Sequence, residues 1–206
     1  MAVEALKLGA TSFSPRDRLE QDLVSTIRQV WDISQHMTYT HDTTKMPAPQ
    51  QAAFVLENDL RLIGPLIEHL QNNLSGWSES DRLQIGMAMD EALMNAMHHG
   101  NLEVDSSLRD EDYDQYYQAV RDRNCQRPFC DRRVRFEAEF SDQHICVQIS
   151  DEGPGFDPQS IPDPRLAENV TKVSGRGLFL IKSFMDQVAH NQCGNQITMT
   201  KLRRDM

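Results

Sequence analysis

The sequence has little of what builds a crosslinked, membrane-spanning or nucleic-acid-binding protein. Its four cysteines, Cys125, Cys130, Cys146 and Cys193, are too few and too irregularly spaced for a disulfide framework. No second Cys or His pair completes a zinc site with Cys125 and Cys130, so all four are read as reduced thiols. No apolar run approaches the roughly 18 to 20 residues of a membrane span, and residues Met1 to Ala10 lack the basic-then-apolar layout of a secretory leader. A cytoplasmic location is the expectation. Bases are the minority charge, 21 Lys and Arg against 31 Asp and Glu, for a formal charge of -10. Such a surface repels a phosphate backbone, and direct nucleic-acid binding is not expected. Also missing are the G-x-x-x-x-G-K-[ST] phosphate loop and the H-R-D and D-F-G signatures of protein kinases. What remains is an ordinary globular composition, 39% apolar and 25% charged over 206 residues, enough for one core with an appendage.

The chain divides near residue 50. Leu19, Leu23, Ile27 and Val30 fall at helical spacing, with Ser14-Pro15 and Asp17 as a start signal, and predict an amphipathic helix within residues 1 to about 36. Residues 38 to 51, with Met46-Pro47-Ala48-Pro49, read as an extended linker, so 1–50 form a docking or dimerisation segment and 51–206 the main domain. In that domain Phe54-Val55-Leu56 predicts a short strand. Asn58 or Asp59 is placed to cap a helix bearing Ile63, Leu66, Ile67, Leu70 and Leu74, and Pro65 requires the first turn. Gly76 ends that helix, Ser78 or Ser80 caps the next, and the latter runs from about Asp81 to His99 before Gly100 stops it.

Residues 102 to 133 are a charge-sorted insert. Glu103, Asp105, Asp110, Glu111, Asp112 and Asp114 precede Arg121, Arg123, Arg127, Arg132 and Arg133, as on a solvated helix with favourable ends, which Tyr113, Tyr116, Tyr117 and Val120 would pack. Val134, Phe136, Ala138 and Phe140 alternate with Arg135, Glu137 and Glu139, and a turn at Ser141-Asp142-Gln143 leads to Ile145, Val147 and Ile149, which predicts a hairpin. A loop rich in glycine and proline, a helix over about 177–188 and a last strand at about 196–202, closed by Lys201, Arg203 and Arg204, complete the reading. The pattern predicts an α+β fold with a mixed, mostly antiparallel sheet covered on one face by helices.

Three clusters carry chemistry. Glu91 and Asn95 stand one helical turn apart, a carboxylate able to take a proton beside an amide carbonyl able to bind Mg²⁺; two exposed polar residues would show the same spacing. Asp151 follows a strand and leads into Gly153-Pro154-Gly155, where the acid can accept from an exocyclic amine and the glycines admit a flat ligand. An Asx turn has the same letters. Ser174-Gly175-Arg176-Gly177-Leu178 opens a helix whose free amides suit phosphate oxygens, or simply form a flexible helix entry. Arg165, Lys172 and Arg176 are candidate cations for the phosphates. His98 reads as a surface or satisfied polar residue.

In this order, and separated by a loop over 157–173 long enough for a lid, these clusters resemble the GHKL ATP-binding superfamily of gyrase-type ATPases, heat-shock chaperones, mismatch-repair ATPases, sensor histidine kinases and anti-sigma-factor kinases. The stretch from Asp90 to Asn101 and the string from Gly175 to Ile181 are most similar to the RsbW type of anti-sigma factor, a serine/threonine protein kinase. The resemblance implies a two-layer α/β sandwich of the Bergerat type that binds ATP and Mg²⁺. It implies Glu91 as general base, Asn95 as Mg²⁺ ligand, Asp151 as adenine anchor, Gly153 and Gly155 beside the adenine, His99 and Gly100 as floor, and Gly175, Arg176, Gly177 and Leu178 on the phosphate side. Three departures stand out: the 102–133 insert, Asn195 after Gly194 where the family usually has Thr, and the extra N-terminal 50 residues.

The activity implied is transfer of the ATP γ-phosphate to a Ser or Thr of a small regulatory protein, with a sigma factor or its antagonist as partner and a homodimer as the common assembly. A nucleotide-gated module that holds a sigma factor or other regulator without catalysis is the alternative. A detached histidine kinase domain ranks third, because its one candidate acceptor, His36, lacks an acidic neighbour.

Overall fold

The computed structural model describes residue 27, residues 51–108, 112–158 and 176–204. The expected N-terminal helix and linker, the lid with Arg165 and Lys172, Gly175 and the side chain of Arg176 lie outside the described residues. Ile27 is helical and exposed.

Strand β1 (Gln51–Leu56) is followed by helices α1 (Ile63–Gln71), α2 (Glu79–Asn95) and α3 (Tyr113–Asn124). The hairpin β2 (Val134–Phe140) and β3 (His144–Ser150), helix α4 (Arg176–Phe184) and strands β4 (Gln187–His190) and β5 (Gln196–Leu202) complete the described fold. The sheet order is β1-β2-β3-β5-β4, and every neighbouring pair is antiparallel. The expected α+β architecture is present, with the sheet purely antiparallel.

The alternation in β2 does what its letters demand. Val134, Phe136, Ala138 and Phe140 are buried, and Arg135, Glu137 and Glu139 face outward. One sheet face thereby joins Leu70, Ile85, Met89, Leu93 and Ile181 from the helices in a single core. Each such side chain, fully buried, contributes about 1.5 to 3 kcal/mol of transfer free energy. Ser78 caps α2, its hydroxyl oxygen accepting from the Asp81 amide at 3.0 Å, and Pro65 sits in the first turn of α1, where its missing N–H costs nothing.

Several expectations need correction. Asp59 caps a short 3-10 turn, Leu60–Leu62, and α1 starts only at Ile63; Asn58 is buried in a separate network. Helix α2 is buried around its circumference, from Gln84 through Met89 and again at Glu91, Ala92 and Leu93. It is the central helix, packed by α1 on one side and α4 on another. Nor does Gly100 stop it: the last turn widens into a π-helical segment, Ala96–Asn101, that runs past the glycine.

The expected helix over 177–188 ends at Phe184, and Val188 belongs to β4, opposite Met199 of β5. Strand pairing overrides a helical spacing that would otherwise continue. Lys201, grouped in the sequence with Arg203 and Arg204 at the end of the last strand, is 3% exposed. Its Nζ donates to the Phe184 carbonyl at 2.7 Å and to Gln84 Oε1 at 3.2 Å, and lies 3.5 Å from Asp81 Oδ1. That base joins the start of α2 to the end of α4.

The insert is only partly helical. Asp112 caps α3, and Arg121 and Arg123 fall in its last turn, where they complement the helix dipole. Arg127, Arg132 and Arg133 lie beyond the helix. Tyr116 is buried in a small satellite core with Leu102 and Val104, and this core docks on the widened end of α2. Among the described residues no helix is long and apolar enough to cross a membrane.

Candidate functional site

A cleft of about 300 Å³ opens between the C-terminal end of α2, the N-terminal end of α4 and the loop after β3. The sheet closes it from below through Ile149 and Ile197. Asn95, His99, Gly100, Asp151, Gly155, Gly177 and Leu178 all contribute to its wall, so one cavity collects predicted residues from all three sequence clusters.

At the base of the cleft the Asp151 carboxylate is pressed between two glycines. A Cβ on Gly100 would lie 2.3 to 2.6 Å from its carboxyl atoms, and one on Gly153 would lie 2.2 Å from the Gly100 carbonyl oxygen. The Gly153 amide donates to Asp151 Oδ1 at 2.9 Å. Burial pushes the Asp151 carboxyl up to about 6, against the opposing pulls of the Gly153 amide and the Arg132 charge. At neutral pH the group is still mostly an acceptor, poised to take a hydrogen bond from an amine. Gly155 carries φ +74, and a Cβ there would meet the Cys193 carbonyl oxygen at 1.9 Å, so the turn can be built only with glycine.

The other end of the cleft is formed by helix packing. Glu91 is 9% exposed; it is neither the surface acid of the bland alternative nor far from the second glycine cluster. A Cβ on Gly177 would stand 2.5 Å from Glu91 Oε2 and 3.4 Å from Asn95 Nδ2. The first turn of α4 thus abuts a carboxylate and an amide placed on α2 one turn apart. A buried acid, an amide carbonyl and helix-end N–H groups suit proton removal, a hard cation and phosphate oxygens respectively. The absence of a Cβ at Gly177 leaves room beside the Asn95 amide, whose carbonyl oxygen would hold a Mg²⁺ ion, and that ion would supply charge neutralisation for phosphate oxygens.

His99 is fixed by its Nδ1–H, which donates to the Val104 carbonyl at 2.6 Å. His98 points away from the cleft, buried, and shares a 2.9 Å hydrogen bond through Nδ1 with the Tyr116 hydroxyl. It is the satisfied polar residue of the sequence reading.

The sequence reading missed other parts of the cleft. Phe156, Ser106, His190 and Gln196 line it as well, and the Phe156 and His190 rings meet edge to face at 5.3 Å. Burial, with the Lys182 charge adding to it, pulls the His190 imidazole below its ordinary value, which favours the uncharged ring. The fully buried Asn101 was quoted only as the end of a motif. Its Oδ1 accepts from the Glu152 amide at 2.8 Å and its Nδ2 donates to Asn58 Oδ1 at 2.8 Å. Asn58 in turn donates to the Phe129 and Arg132 carbonyls at 3.1 and 3.3 Å. This network ties the loop bearing Asp151 to the end of α2 and to the insert, and only an Asn three-dimensionally opposite an Asn would have announced it.

No curated protein matches the chain. The model of the histidine kinase-like ATPase domain matches residues 56–201, from the end of β1 into β5 and therefore across every wall of the cleft. That span, a nucleotide-sized cleft at the meeting of α2, α4 and the loop after β3, and the antiparallel sheet beneath them agree, and the chain belongs to the histidine kinase-like ATPase domain family, a branch of the GHKL superfamily of ATP-binding proteins.

Proposed function

We propose that the protein is a serine/threonine protein kinase of the anti-sigma-factor type, which transfers the γ-phosphate of ATP to a hydroxyl of a small regulatory protein. The observation that carries this reading is the contact between α2 and α4: Glu91, buried, holds Oε2 2.5 Å from where the Cβ of residue 177 would be. A carboxylate at a phosphate-binding helix end is placed to act on a nucleophile arriving at the γ-phosphorus.

In this reading the adenine amine donates to Asp151, and the phosphates run toward the N-terminus of α4. The Asn95 carbonyl would hold Mg²⁺, whose chemistry is to neutralise charge on the phosphate oxygens. Glu91 takes the proton of the incoming Ser or Thr hydroxyl as its oxygen bonds to phosphorus, the bond from phosphorus to the β,γ-bridging oxygen breaks, and ADP leaves. Helix-end amides stabilise the spread negative charge.

The test is transfer of label from γ-labelled Mg-ATP to candidate antagonist proteins, with a Glu91→Gln variant alongside. Loss of a positioned base costs roughly 10² to 10⁴ in rate, so Glu91→Gln should bind nucleotide and transfer almost no label. Undiminished transfer by that variant removes Glu91 from the role. Nucleotide binding with label moving neither to protein nor to water favours the non-catalytic, nucleotide-gated module instead.

A further inference from the structure

The insert does more than decorate the end of α2. Its first turn reaches the cleft through Ser106, which lines it together with His99, Gly100 and Asp151. The chain arrives there by a fixed route. The Leu102 amide donates to the Met97 carbonyl and the Val104 amide to the His98 carbonyl, both at 2.9 Å, so the backbone folds back over the widened turn. Glu103 holds φ 52 at the reversal, which an L side chain adopts only when its surroundings impose it.

The surroundings do impose it. The Arg123 guanidinium donates to the Leu102 and Glu103 carbonyls, and Arg132 donates to the Asn101 carbonyl at 2.8 Å and to Glu103 Oε1 at 2.7 Å. Both guanidinium groups lie over the Phe129 ring, 5.3 and 5.2 Å from its centroid. Beyond Ser106, the Ser107 amide is held by Asp105 Oδ1 at 2.8 Å and Leu108 packs into the satellite core. Ser106 therefore sits between two anchored neighbours, half-buried at the cleft wall, and its hydroxyl has no partner among the described residues. A hydroxyl-bearing residue held at the wall of such a cavity is a recognition group for a polar ligand atom.

We propose that Ser106 is a nucleoside-binding residue, by which the insert adds a hydrogen bond to the base or ribose of the bound nucleotide. This rests on the cleft being a nucleotide site. The nucleoside half is specified because the insert enters the cleft from the His99 end: Val104, two residues before Ser106, is bonded to His99 and His98, His99 stands one helical turn beyond Asn95 and two beyond Glu91, and the adjoining Gly100 meets Asp151.

The experiment is calorimetric titration of the full chain with Mg-ATP and with AMP, comparing the natural protein with Ser106→Ala, Ser106→Thr and Ser106→Phe. One neutral hydrogen bond corresponds to roughly three- to tenfold in affinity. Ser106→Ala should weaken ATP and AMP by the same factor in that range, Ser106→Thr should restore most of it, and Ser106→Phe should weaken both by more than about thirtyfold by filling the wall. Far-ultraviolet circular dichroism of each variant checks that the fold is retained. Unchanged affinity in Ser106→Ala and Ser106→Phe overturns the assignment while leaving the nucleotide site intact. A loss confined to ATP overturns it too, since the contact would then be to phosphate. If the natural protein binds neither nucleotide, the site and the inference fall together.

Discussion

Replacing Asp151 by Asn separates the stability of the cleft from its chemistry. Asn keeps an oxygen for the Gly153 amide but never ionises. In the natural protein burial raises the carboxyl from 3.8 to about 6. Between those values the native state holds a proton that the unfolded chain has released, so stability falls as pH rises through the window and stays low above it. A shift of about two units corresponds to about 3 kcal/mol, and partial solvent access at the cleft mouth reduces this to about 1 to 2 kcal/mol. Asp151→Asn should therefore match the natural protein near pH 4 and exceed it by about 1 to 2 kcal/mol above about pH 7, a rise of roughly 2 to 8 °C in Tm. The same variant should bind ATP more weakly, because an amide N–H₂ placed toward the amine of the base repels it. The assay is thermal unfolding without nucleotide at a series of pH values, paired with titration by ATP. A stability difference that does not grow with pH, or a variant less stable than the natural protein at pH 8, would refute the argument that burial of this carboxylate is uncompensated.

Gly177→Ala places a Cβ 2.5 Å from Glu91 Oε2; the flexible acid can swing aside, so the variant should fold with nearly unchanged Tm yet lose most nucleotide turnover, as label transfer will show. Asn101→Ala leaves the part-buried Glu152 amide and the buried Asn58 Oδ1 without their partner, which costs about 1 to 3 kcal/mol. Urea unfolding should register that loss as a lower midpoint at constant slope; a shift below about 0.5 kcal/mol would mean that the network does not hold the Asp151 loop.

The sequence by itself determined those features whose cause is local. Alternating Val134, Phe136, Ala138 and Phe140 allow only a half-buried strand, Ser78 marks a helix start, and Glu91 with Asn95 must share a helix face wherever that helix lies. The three short clusters named the cleft because each is a backbone requirement written in adjacent letters: glycine where Gly155 needs a positive φ or where Gly100 meets a carboxylate.

Tertiary structure decided whatever depends on a partner distant in the chain. Val188 keeps the helical spacing of Leu178, Ile181 and Met185, and only its pairing with Met199 makes it strand. Lys201 looks like a terminal surface charge until Phe184, Gln84 and Asp81 enclose it. Glu91 is buried because α4 covers it, Asn58 and Asn101 are bonded across 43 residues of sequence, and Ser106 reaches the cleft because two arginines from later in the insert hold the chain reversal at residues 101–103. Periodicity records which way a side chain points from its own element; what stands opposite it is set by the packing of the others.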